Sequence, residues 1–207
     1  MNIDELETRL KSKPRIVPVV TFTALDQVEP LIRCLVEQKI EVIEVTLRTN
    51  IGLDALKLIK NKYPNMLTGA GTVKNNASFK AAEATGCDFM VSPGASQSLM
   101  VQAASSNALL IPGVMTPSEI QQAIELGYRL VKLFPASIAG GPSFLKSMHA
   151  VYPEVNFFPT GGINVENRDE YLDAKNVVCV GGTWLTPIEY LEAGDWGRIS
   201  ALLAALN

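Results

Sequence analysis

The chain has 207 residues, 47% hydrophobic and 19% charged, with a formal net charge of -3. That length supplies one full hydrophobic core and leaves too little chain for two, so a single domain over residues 1–207 is expected. The mildly acidic balance carries no nucleic-acid footprint, and no apolar run approaches the roughly 20 residues of a membrane span. The start, "MNIDELETRLKSKP", is polar and amphipathic, unlike a secretory signal. Cys34, Cys87 and Cys179 are scattered with no C-x-x-C, which predicts free thiols in a reducing, cytoplasmic setting.

In chain order, a helix over 2–12 is followed by eight short apolar runs that start about every 20 to 27 residues. They are "IVPVV" (16–20), "VIEVTL" (42–47), "MLTGAG" (66–71), "DFMVSPG" (88–94), "ALLIPG" (108–113), "LVKLFP" (130–135), "VNFFPTGG" (155–162) and "VVCVGG" (177–182). Between and after them the pattern predicts helices at 26–38, 51–62, 76–85, 96–106, 117–126, 142–150, 165–174 and 187–206. Thr116-Pro117 with Glu119, and Asn164 before "VENRDEYL", read as helix starts, while the glycines of "TGCDF" and "LGYRL" read as helix ends. Val-, Ile- and Leu-rich strands alternating with helices mean parallel pairing with helices outside. A leucine-rich solenoid lacks its L-x-x-L-x-L signature. A doubly wound sheet is the rival, but no G-x-G-x-x-G follows the first strand and no G-x-x-x-x-G-K-[ST] occurs. Eight units predict a single (β/α)8 TIM barrel, with the N-terminal helix covering its bottom.

Two strands carry charge where apolar residues are expected. In "RLVKLFPAS" Lys132 interrupts a buried run; its head either escapes to water or serves chemistry. In "EVIEVTLR", period two puts Glu44, Thr46 and Arg48 on one face and Ile43, Val45 and Leu47 on the other. Inside a barrel the polar face is either a buried Glu–Arg pair or a ligand site. Thr72 and Pro93 follow strands three and four, at the face where barrel active sites lie. Strands seven and eight leave through "PTGGIN" and "GGTWLTP", and two glycine loops at adjacent strands favour phosphate held by backbone N–H groups. His149, the single histidine, falls on a helical segment and is expected to be solvated; with no acidic cluster at the strand ends, no metal site is expected. A lysine in an apolar site, an internal carboxylate, an arginine and a phosphate seat together suggest covalent amine catalysis. A barrel that binds or isomerises a sugar phosphate without covalent chemistry, with Lys132–Glu44 as a buried ion pair, is the alternative.

"EVIEVTLRT", "GAGTV", "VSPG", "IPGVMTPSE", "KLFPA", "FFPTGGI" and "GGTWL" resemble the class I 2-keto-3-deoxy-6-phosphogluconate aldolases, which also act as 4-hydroxy-2-oxoglutarate aldolases. The resemblance spans nearly the whole chain. It implies a homotrimeric barrel that needs no metal and splits a small keto acid into pyruvate and an aldehyde; no cofactor is expected, nor, from charge and hydropathy, any nucleic-acid or membrane partner. It further implies Lys132 as the Schiff-base lysine, Glu44 as the acid/base carboxylate, and Arg48 and Thr72 as pyruvate carboxylate contacts. Thr160 falls at the substrate hydroxyl region, Pro93 and Phe134 line the pocket, and Gly161, Gly162, Gly181, Gly182 and Thr183 match the phosphate seat. Thr183 stands where relatives often have serine, keeping the hydroxyl. "VPVVTF" lacks the arginine that some relatives carry near the end of the first strand.

Overall fold

Asn2 starts the first helix, α1 (Ile3–Leu10), because its side chain accepts from the Glu5 amide while the Glu5 carboxylate accepts from the Asn2 amide. The computed structural model describes residues 1–12 and 14–206; Lys13 and Asn207, both inside the expected 1–207 domain, lie outside the described residues. After α1 come the strands β1 (Ile16–Val20), β2 (Val42–Thr46), β3 (Leu67–Gly71), β4 (Phe89–Val91) and β5 (Leu110–Ile111). β6 (Gly113–Val114), β7 (Leu130–Leu133), β8 (Asn156–Pro159) and β9 (Val180–Gly182) complete the set. Six strands form a curled parallel sheet in the order β5-β4-β3-β2-β1-β9, and β6-β7-β8 form a second parallel sheet. The expected strand at 108–113 is divided at Pro112, which has no N–H for a ladder bond, although its carbonyl accepts from the Lys132 amide at 2.8 Å.

The helices between strands are α2 (Val28–Glu37), α3 (Gly52–Lys62), α4 (Asn76–Glu83), α5 (Gln97–Ala104), α6 (Pro117–Glu125), α7 (Gly141–Val151) and α8 (Arg168–Leu172). Gly86 and Gly127 have φ of 74° and 88°, the left-handed conformation expected where those two helices end. The chain differs from expectation in two helices. α8 is shorter than 165–174 because Asn164 and Asn167 bond to the backbone of 164–167 in a turn that competes with helix. The last helix is two, α9 (Ile188–Ala193) and α10 (Trp196–Ala204), since Gly194 turns left-handed at φ 65° and Asp195 caps the second one through the Arg198 amide. Among the described residues no helix is long and apolar enough to cross a membrane.

Period-two alternation splits the strands between two apolar clusters. Ile43, Val45, Ala70, Met90, Val131 and Phe157 pack in the larger cluster with the helices. Leu67, Phe89, Leu130 and Phe158 point the other way, into a second cluster that also receives Leu6 and Leu10 of α1, at 0% and 2% exposure. Truncating Leu6 to alanine would cost about 2–5 kcal/mol, the lost burial of the side chain plus the cavity left behind. Glu44, Thr46, Gly71, Lys132, Thr160 and Gly181 share the parity of this inner face, so the apolar floor passes into a polar layer toward the carboxyl ends of the strands.

Candidate active site

Parallel register sets the centre of this polar layer. Gly113 and Phe158 flank Lys132 on the two strands beside it, and Gly69 lies opposite Glu44 on β3. Across the interior, Lys132 Nζ donates to Glu44 Oε1 at 3.4 Å, with the two side chains 6% and 1% exposed. The head of Lys132 therefore does not reach water. It lies 5.4 Å from the ring centre of Phe134 and 6.0 Å from that of Phe158, close enough for the ring faces to attract the cation. Glu44 Oε2 is buried with no hydrogen-bond partner among the described residues, and so is Thr160 Oγ1. A buried acceptor without a partner costs free energy, so these two atoms mark where the fold leaves polar groups free for something else.

Arg48 departs from the expected inward face. β2 ends at Thr46, and Arg48 lies exposed in the following turn, so no Glu44–Arg48 pair fills the interior. Thr46 does stay inside, with its hydroxyl 2.7 Å from that of Thr21 at the end of β1. Thr72 directly follows β3 at φ 64°, in the left-handed region that a β-branched residue occupies at a cost of about 1–3 kcal/mol. Pro93 lies just after β4, Phe134 after β7 and Thr160 after β8, all on the carboxyl side of their strands.

The two glycine segments turn out unlike each other. Gly161 and Gly162 are a true turn, at φ 98° and 75°, with the Gly161 carbonyl accepting from the Ser137 amide at 3.1 Å. The Gly162 carbonyl accepts from Asn167 Nδ2 at 3.0 Å. Gly181 and Gly182, expected in a loop, are instead buried within β9 and paired with β1. A Cβ on Gly181 would meet Thr160 Oγ1 at 2.5 Å, and one on Gly182 would meet the Trp184 ring at 1.7 Å. Their lack of a side chain makes room for neighbours. Thr183 is exposed in the bend that follows.

Sequence reasoning passed over two neighbours of the site. Ser137 Oγ stands 2.0 Å from where a Cβ on Gly162 would lie, and the Glu44 carboxylate occupies the place of a Cβ on Gly71. A glycine inside a strand, as in "LTGAG", is the signal that marks such a close approach. His149 is half-buried rather than solvated, its Nδ1 enclosed without a partner. It lines a cavity of about 430 Å³ between α7 and the segment 170–176. Among the described residues no three His, Cys, Asp or Glu side chains group as a metal site would.

A parallel α/β sheet whose inner face holds a lysine against a carboxylate defines the class: a fold with an amine and a proton acceptor paired at the carboxyl ends of its strands. The profile of the KDPG and KHG aldolase family matches residues 6–202. The chain is 38% identical over 204 residues to the 2-dehydro-3-deoxy-phosphogluconate aldolase of Pseudomonas aeruginosa, covering 97% of this chain and 93% of the relative. It is 38% identical to the KHG/KDPG aldolase of Escherichia coli K12 over 187 residues, 90% of this chain and 88% of that one. The KDPG aldolase of Legionella pneumophila, solved with pyruvate captured as a covalent carbinolamine, superposes with a TM-score of 0.93 at 40% identity over 97% of both chains. The chain belongs to the KDPG and KHG aldolase family.

Proposed function

We propose that this protein is a Schiff-base aldolase that cleaves 2-dehydro-3-deoxy-6-phosphogluconate to pyruvate and glyceraldehyde 3-phosphate, and 4-hydroxy-2-oxoglutarate to pyruvate and glyoxylate. The observation that carries this reading is the buried Lys132–Glu44 contact at 3.4 Å. An amine attacks a ketone only when neutral, and a carboxylate in contact can take its proton. Lys132 Nζ then adds to the C2 carbonyl, and loss of water, with Glu44 returning the proton, leaves an iminium. Removal of the C4 hydroxyl proton breaks the C3–C4 bond, releases the aldehyde and sends the electron pair into an enamine. Protonation at C3 and hydrolysis free pyruvate and regenerate the amine. Atoms and electrons balance with water and these two side chains.

The remaining assignments rest on position. Arg48 and Thr72 hold the substrate carboxylate, the guanidinium by a two-pronged contact that its exposed place in the turn leaves it free to make. Thr160 contacts the hydroxyl region through its unpartnered Oγ1, with Pro93 and Phe134 as pocket walls. Gly161, Gly162 and Thr183 seat the phosphate, with Gly181 and Gly182 behind them shaping the space. No lysine or arginine occurs in 160–163 or 181–183, so the seat is built from backbone and hydroxyl groups.

We also read the two sheets as one closed (β/α)8 barrel in a single domain over 1–207, floored by α1. In support, β5 and β6 are successive pieces of one strand, and bridges Phe157–Val177 and Thr160–Gly181 join the end of the second sheet to the β9 region. A homotrimer in the cytoplasm completes the proposal; sedimentation as a monomer at assay concentration would overturn the trimer. The function itself is tested by borohydride reduction in the presence of pyruvate. A reduced pyruvyl group on Lys132 is expected, and Lys132→Arg should abolish turnover because a guanidinium stays protonated. Active protein that takes no label would favour non-covalent sugar-phosphate chemistry instead, and a label on another lysine would move the Schiff base away from Lys132.

A further inference from the structure

On the inner face, the space that a side chain on Gly71 would take is filled by the Glu44 side chain. A Cβ built on Gly71 would lie 2.2 Å from Glu44 Oε1 and 2.8 Å from both Cδ and Cγ of the same side chain. Those are its three nearest atoms, and all belong to Glu44. Other glycines of the inner face make room for other neighbours: a Cβ on Gly69 would strike the Phe89 ring at 2.3 Å, and one on Gly113 the backbone of Pro93 at 2.4 Å. Gly71 does not need its conformational freedom either, since its φ lies outside the left-handed region. Its carbonyl accepts from the Leu47 amide at 2.8 Å and its backbone pairs with Thr46, as any strand residue could. The strand backbone would accept alanine; the Glu44 carboxylate stands first in its way.

We propose that Gly71 is a positioning residue for the acid–base carboxylate, leaving the space that lets Glu44 Oε1 rest against Lys132. This rests on the reading of Glu44 as the group that moves protons. Among the described residues Oε2 has no partner and Oε1 has only the 3.4 Å contact to Lys132 Nζ, so hydrogen bonds do little to hold this carboxylate in place. Shape must do it. The side chain is 1% exposed and has no solvent to retreat into, so a methyl group at position 71 moves the carboxylate off the amine. A displacement of about 1 Å at a reacting group is enough to cost on the order of a hundredfold in rate. Gly71 acts through Glu44, the side chain that its missing Cβ would displace.

The test separates position from stability. In Gly71→Ala, cleavage kcat and proton exchange at the pyruvate methyl should fall together by about a hundredfold. Borohydride with pyruvate should still label Lys132 to completion, given longer incubation. Shortening the acid should then help: Gly71→Ala/Glu44→Asp should exceed Gly71→Ala by at least about threefold, although Glu44→Asp alone loses activity. A purely structural glycine would show no such sign reversal. Wild-type exchange in Gly71→Ala, or no rescue by Glu44→Asp, overturns the proposal. If Gly71→Ala does not fold, Gly71→Ala/Glu44→Ala must fold and melt no lower than Glu44→Ala, and a lower melting point overturns it equally. Glu44→Gln in the wild-type background tells the two readings apart. Unchanged methyl exchange there removes the role of Glu44, whereas lost exchange there with full exchange in Gly71→Ala removes only that of Gly71.

Discussion

Lys132 and Glu44, 88 positions apart in the chain, meet at 3.4 Å on the inner face with 6% and 1% of their side chains exposed. Removing one partner of such a pair leaves the other charge buried and uncompensated, which costs more than the pair contributes. Lys132→Met should therefore destabilise the fold by about 3–5 kcal/mol, and Lys132→Met/Glu44→Gln should recover most of that loss. Denaturant unfolding of the three proteins measures it. Equal stability of the single and double variants would mean that the two charges do not depend on each other.

Glu44→Gln keeps the shape of the side chain and removes its capacity to hold a proton. Both cleavage and exchange of the pyruvate methyl protons should fall by about 10²–10⁴-fold, because general acid–base catalysis of that size is lost from both. Isotope exchange followed by NMR reads the second step without the first. Exchange at the wild-type rate would assign proton transfer to another group.

Thr160→Ala removes a buried hydroxyl that has no partner among the described residues, so stability should change little or rise slightly. The choice between glyoxylate and glyceraldehyde 3-phosphate in the condensation direction should change instead. Gly181→Ala should shift the same preference, because its Cβ would lie 2.5 Å from Thr160 Oγ1. Competition assays with the two aldehydes check both, and an unchanged ratio in both variants would leave Thr160 as interior packing.

Gly162→Ala meets two obstacles: a left-handed φ of 75° and Ser137 Oγ at 2.0 Å from the new Cβ. The strain should cost about 1–2 kcal/mol of stability, as at Gly127, where φ is 88° and no neighbour lies within 4 Å. Only Gly162→Ala should also lower kcat/KM for the phosphorylated substrate more than for 4-hydroxy-2-oxoglutarate, by about tenfold or less, the range of a helix-end or hydroxyl contact to an anion. Equal loss for both substrates would make 161–162 a corner of the fold rather than a phosphate seat.

Burial raises the Cys87 thiol from 9.0 to about 11 and the Tyr128 hydroxyl from 10.0 to about 12. Their neutral forms are thus favoured in the folded state. Above about pH 9 the unfolded chain loses these protons first, so it binds fewer than the folded one and stability falls as pH rises. The stabilisation is complete below pH 9 and is gone once pH passes the folded values near 11 and 12. Melting temperature should decline between pH 9 and 12, and Cys87→Ala together with Tyr128→Phe should flatten the slope. An unchanged slope would place the alkaline loss in other groups.

Much of this protein was determined by sequence alone. The order of strands and helices, the glycine helix ends at 86 and 127, and the inward parity of Glu44 and Thr46 all follow from local periodicity, in which each residue's environment repeats every two or 3.6 positions. The motifs "IEVTLR" and "VKLFP" likewise mark the two residues of the central pair. What neither periodicity nor motif contains is which strands lie opposite one another across the interior. Tertiary structure decided that Lys132 meets Glu44 rather than water, that Arg48 falls beyond the end of β2, and that Gly181 and Gly182 are strand residues making room for Thr160 and Trp184. It also decided that Gly71 stands beside a carboxylate 27 positions earlier in the chain. These are contacts between residues far apart in sequence, set by strand register and by the curl of the sheet, and a single strand carries no information about the atoms it will face.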